Sequence, residues 1–174
     1  MDIQQAILKE HSKQQTMKIV NFIGSDVQRL EELLNLFLKG EPLERQRCAW
    51  VVYHFTPGQQ QLSRSYFEQM LDALTEEAHP AVWRATLRLF DNAGIPSGLE
   101  GKIVTLAFDV LADPSKPVAT KIYAMTILGD YCRKEPDLAG ELRLLIEEQW
   151  HHSSAGFKSR GKKVLKMLDQ LNVE

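Results

Sequence analysis

One spacing constrains this sequence more than any other feature. A basic residue recurs every 37 positions, as Arg47, Arg84, Lys121 and Lys158. Each of the four sits in an apolar-periodic segment that follows another such segment of similar length, so the repeating unit is a pair. A helix pair of this size cannot bury both of its apolar faces by itself and must stack against copies of itself. The spacing therefore predicts an array of paired elements built by short-range packing along the chain.

The elements read as helices. "DVQRLEELLNLFLK" (26–39) brings Val27, Leu30, Leu33, Leu34, Phe37 and Leu38 to one face at spacings of three and four, the mark of an amphipathic helix. The first members of the pairs are expected at 2–9, 26–39, 62–77, 97–112 and 137–150. The second members are expected at 10–23, 43–55, 80–92, 115–134 and 154–171. Pro42, Pro80 and Pro117 fall at or near the starts of three second helices, where the missing N–H costs nothing. Gly24 reads as a helix stop. Turn chemistry fills the breaks in "TPGQQQ" (56–61), "NAGIPSG" (92–98), "DPSKP" (113–117) and "HHSSAG" (151–156). Alternating β-branched runs are absent, so strands are not expected. At 174 residues the five pairs fit one domain, 1–174.

"EEAHPAVWR" (76–84) carries an acidic turn, a proline, an apolar residue and then a base. "DPSKPVATK" (113–121) and "GEPLERQR" (40–47) are looser copies. This pattern resembles HEAT and armadillo-like repeats over most of the chain, although the period is shorter than their usual ~40–47 residues. The resemblance implies an all-α fold: a right-handed α-solenoid of about five HEAT-like helical pairs. It also implies a structural job for the registered bases, because in such repeats the turn acid and the helix base often form a ladder between neighbours. Glu41 with Arg47, Glu77 with Arg84 and Asp113 with Lys121 are the expected rungs.

Charge is sorted by helix. The first helices hold six Lys/Arg against fourteen Asp/Glu, a net of −8. The second helices hold fifteen against five, a net of +10, although the whole chain carries only −2. HEAT-like solenoids place second helices on the concave side, so the resemblance implies a basic inner groove. Such a field concentrates anionic partners far better than the net charge suggests. The groove residues expected from helical spacing are Arg47, Trp50, Arg84, Arg88, Lys121, Lys158 and Lys162. His54 and Asp91 fall in the same sectors, and Trp50 could stack as well as pack.

Catalytic motifs are missing. The chain has no P-loop, dinucleotide fingerprint, HExxH or CxxC pair, so neither catalytic residues nor cofactors are expected. The five histidines are scattered and predict no metal site. Cys48 and Cys132 fall within helical apolar patterns and read as small core residues. No apolar run approaches the ~20 residues of a membrane span, and no secretory leader opens the sequence, so a cytoplasmic setting is expected. "VWRATLRLFD" (82–91) resembles the helices of HEAT-like DNA-alkylation-repair glycosylases, with Asp91 as the acid, but lacks their doubled arginine after the tryptophan. The expectation is a non-catalytic interaction or scaffold module that binds an acidic protein segment in a basic groove. Nucleic acid is the alternative partner.

Overall fold

The computed structural model describes residues 1–55, 64–75 and 77–171. The turn expected at 56–61, the first two residues of the helix expected at 62–77 and Glu76 lie outside the described residues. Among those described there are ten α-helices, one short 3-10 turn and no strand. The helices are α1 (Ile3–Lys9), α2 (Lys13–Ile23), α3 (Val27–Lys39), α4 (Pro42–His54) and α5 (Arg64–Asp72). They continue with α6 (Pro80–Ala93), α7 (Glu100–Ala112), α8 (Val118–Cys132), α9 (Ala139–Gln149) and α10 (Ala155–Leu171). The all-α array of pairs expected from the sequence is what forms.

Local chemistry sets the boundaries. Asp2, Ser12 and Asp26 accept from backbone N–H groups one turn on and start α1, α2 and α3, as N-cap oxygens do. Gly24 closes α2 at φ 49, a left-handed turn that any other residue would enter under strain. Pro42 and Pro80 are the first residues of α4 and α6. Pro117 instead stands just before α8, which therefore begins three residues later than the sequence pattern suggests. Helix α5 ends at Asp72 rather than at 77. The Trp83 indole N–H donates to the Thr75 carbonyl at 3.2 Å, which fixes the chain after α5 as a turn.

The chain divides into two compact units, Met1–Pro96 and Ser97–Glu174. Within the first, α1, α3 and α5 pack in one layer while α2, α4 and α6 pack in another. Leu33, Phe37, Cys48, Met70, Leu87 and Phe90 are fully buried between the layers, and Phe67 stacks on Phe90 at 5.4 Å. Within the second unit α7 packs on α9 and α8 on α10, around Ile103, Ala107, Met125, Leu142, Ile146 and Phe157. Two glycines allow the close approach here. A Cβ on Gly161 would come within 3.0 Å of the Trp150 ring, and one on Gly129 within 3.2 Å of Met167. Each layer repeats at every second helix, so burial is achieved between neighbours, as a repeat array requires.

Candidate binding surface

The registered bases do not share one job. Arg47 turns back onto α1, where its Nη1 donates to the Leu8 carbonyl at 2.6 Å and the Ile7 carbonyl at 3.2 Å. It thereby satisfies carbonyls that the end of a helix leaves open. Its expected partner Glu41 has a different neighbour: the Glu41 N–H donates to the Glu44 carboxylate. Glu44 also accepts from Gln4 at 2.6 Å. The Gln4 bond first, and then the backbone bond, hold its pKa below the ordinary value.

Arg84 departs further from expectation. Among the described residues no hydrogen bond or ion pair joins it to Glu77, so that rung of the ladder does not form. The guanidinium lies 5.1 Å from the centre of the Tyr53 ring, and its Nε is buried without a hydrogen-bond partner. Arg88, one turn on, lies 4.0 Å from the same ring. Tyr53 on α4 thus receives two guanidinium groups from α6, a cation–π arrangement.

Lys121 is the clearest correction. It was expected in an open groove but is only 6% exposed. Its ammonium donates to Gln149 Oε1 at 2.7 Å, and Gln149 Nε2 donates in turn to the Leu111 and Leu145 carbonyls. Burial pushes the Lys121 pKa down, against the upward pull of Asp113. Asp113 itself bonds the Ser115 N–H at 2.8 Å and acts on Lys121 only through its field. The rung here is Lys–Gln–carbonyl rather than acid–base. On α10, Lys158 is half-buried and Lys162 exposed. Arg160 and Lys163 line a shallow cleft of about 140 Å³ against Arg133, which caps the end of α8.

A concave cleft of the first unit lies between α4 and α6. It has a volume of about 480 Å³ and is lined by His11, Gln46, Trp50, Tyr53, His54, His79, Ala81 and Arg84. No acid lines it. Half-buried Trp50 is stacked on His11 with centroids 4.5 Å apart, and the His54 ring meets it edge-on at 5.9 Å. The His54 ring is pinned by a 2.8 Å bond from Nδ1 to the Trp50 carbonyl. His79 caps α6, its Nδ1 accepting from the Ala81 N–H at 3.1 Å. The structure therefore places Arg84 and Arg88 over Tyr53, sets Trp50 in the same cleft as Arg84, and leaves Arg47 and Lys121 in structural roles. The sequence reading missed Tyr53, Gln46, His11 and His79. The signal was available for Gln46 and Tyr53, which extend the stripe already drawn through Trp50 and His54.

Among the described residues no cluster of three His, Cys, Asp or Glu side chains could hold a metal ion. No helix among them is long and apolar enough to cross a membrane. Trp83, the tryptophan of the glycosylase-like stretch, is 7% exposed and bonded to Thr75, so α6 offers no tryptophan ring to a ligand. A family model for the HEAT repeat domain matches residues 3–168. No curated protein and no solved structure matches the chain.

Proposed function

We propose, from the premise that this chain belongs to the HEAT repeat domain family, that it is a non-catalytic interaction module working as one domain in the cytoplasm. HEAT repeats generally serve as protein-interaction scaffolds. The partner in this reading is an acidic protein segment that lies against the basic face of α4 and α6 in the first unit. One observation carries it: among the described residues, the α4–α6 cleft is lined by an arginine without an acidic partner, two half-buried aromatics and three imidazoles, with no carboxylate. A cation left partly desolvated and unpaired by its own protein is a poor choice for stability. Its retention makes sense where a partner supplies the counter-charge.

The test is fluorescence anisotropy of a labelled Glu/Asp-rich peptide, beside a labelled DNA duplex, from low to physiological salt. The peptide should bind and the duplex should not. Duplex binding that weakens steeply with salt, the signature of several neutralised phosphates, would replace the acidic-protein reading with the nucleic-acid one.

A further inference from the structure

The lining of the α4–α6 cleft is more specific than a basic patch, because its hydrogen-bonding edges can be assigned atom by atom. The His79 Nδ1 accepts from the Ala81 N–H, so in the neutral ring Nε2 carries the proton and donates. A carbonyl can only accept, so the His54 Nδ1 bonded to the Trp50 carbonyl carries the proton. Neutral His54 is then left with an acceptor at Nε2. Arg84 lines the cleft, and its guanidinium can only donate. Among the described residues the Gln46 amide and the Trp50 indole N–H have no protein partner. Donors thus outnumber acceptors around a space lined by no acid, the acceptors being the His54 Nε2 and the Gln46 amide oxygen.

A carboxylate has two oxygens and, when ionised, nothing to donate. It brings a single charge and two oxygens to a lining rich in donors, and its lone pairs oppose the His54 acceptor. A phosphomonoester presents three terminal oxygens and, near neutral pH, is divided between the dianion and a form with one P–OH. The protonated form answers the His54 acceptor directly. Arg84, His79, Gln46 and Trp50 then donate to the remaining oxygens. A phosphodiester of nucleic acid lacks that exchangeable proton and has only two free oxygens. We propose that this cleft is a receptor for a phosphorylated side chain, a phosphoserine or phosphothreonine, on the acidic segment of a partner protein. The proposal rests on the acidic-segment reading and narrows it to one residue.

Two short peptides with the same glutamate-rich flanks, one with a central serine and one with phosphoserine, test it by calorimetric titration of the full chain. The phosphopeptide should bind roughly tenfold tighter or more. Arg84→Gln should weaken both peptides, the phosphopeptide far more than the serine peptide, and so bring the two affinities together. His79→Asn is the second variant: it sits at an exposed position, keeps an acceptor for the α6 N-terminus and removes only the Nε2 donor. It should cut the phosphoserine advantage without moving the melting temperature. If the serine peptide binds and phosphorylation adds nothing, the receptor proposal fails and the acidic-segment reading stands. If neither peptide binds, both fail. Inorganic phosphate competing at concentrations similar to the phosphopeptide would show a simple ion site and overturn the proposal. So would a phosphoserine advantage that survives both variants.

Discussion

Arg84 and Lys121 occupy the same place in the repeat, 37 residues apart, each early in a second helix. In the first unit Arg84 rests beside the Tyr53 ring with its Nε unanswered. In the second unit Lys121 is buried and tied through Gln149 to the Leu111 carbonyl. The difference lies in the neighbour rather than in the base. Helix α9 ends in a glutamine that reaches both the ammonium and a backbone carbonyl, whereas the α4 stripe facing Arg84 is aromatic. Register fixes where a charge sits along the array. Only the side chains packed against it decide whether the charge is consumed internally or left for a partner.

The largest effect should come from breaking the consumed charge. Gln149→Leu would strand a buried ammonium and the Leu111 carbonyl together, and the stability of the second unit should fall by about 3 kcal/mol. Chemical denaturation monitored by helix content measures it. A loss below about 0.5 kcal/mol would mean that Lys121 finds water without Gln149, and the contrast with Arg84 would collapse.

Arg47 should show an intermediate loss. Arg47→Ala removes the donor to the last carbonyls of α1, and about 1–2 kcal/mol of stability should go with it. The seven residues of α1 should show the change first in amide hydrogen exchange. Uniform exchange rates along α1 before and after the substitution would argue that water caps these carbonyls equally well.

Arg84→Ala should cost less still, within about 0.5 kcal/mol either way. The lost contact with Tyr53, worth ~0.5–1 kcal/mol at such a site, is offset by removing a buried nitrogen with no partner. Affinity for the acidic peptide should drop while stability holds. A melting temperature that falls as far as that of Arg47→Ala would place Arg84 among the structural bases.

The fold was legible because its determinants are local: apolar spacing, capping Asp and Ser residues, Pro42 and Pro80 at helix starts, Gly24 at a stop. The 37-residue period then implied stacking. The jobs of the bases were not legible, since each depends on a residue distant in sequence. Nothing near Lys121 announces Gln149, 28 positions away, and nothing near Arg47 announces the open carbonyls of α1. The turn acids misled for a physical reason. Asp113 is satisfied by its own turn through Ser115, as short acidic side chains in turns commonly are, and so has little need of Lys121. In the cleft, spacing placed Trp50 and His54 together but could not show that α6 and the segment before α2 bring His79 and His11 to the same place.

The smallest expected effect is the pH signature of the consumed charge. Burial lowers the Lys121 pKa below lysine's ordinary value of 10.5, so just below that pH the unfolded chain holds more of this proton than the folded one. Stability rises with pH wherever the unfolded state binds more protons. The penalty for burying the ammonium is therefore fully present below the folded pKa and relieved as pH climbs toward 10.5. Other groups titrate in the same range, so the informative quantity is the stability difference between the wild type and Lys121→Met. That variant keeps the buried methylenes and removes the proton. Between pH 8 and 10.5, the wild type should gain on Lys121→Met by less than about 1 kcal/mol. A difference that stays flat would mean that Gln149 and Asp113 together hold the ammonium as well as water does. A difference that moves the other way would mean that they hold it better, and Lys121 would then be a stabilising ion site rather than a tolerated buried charge.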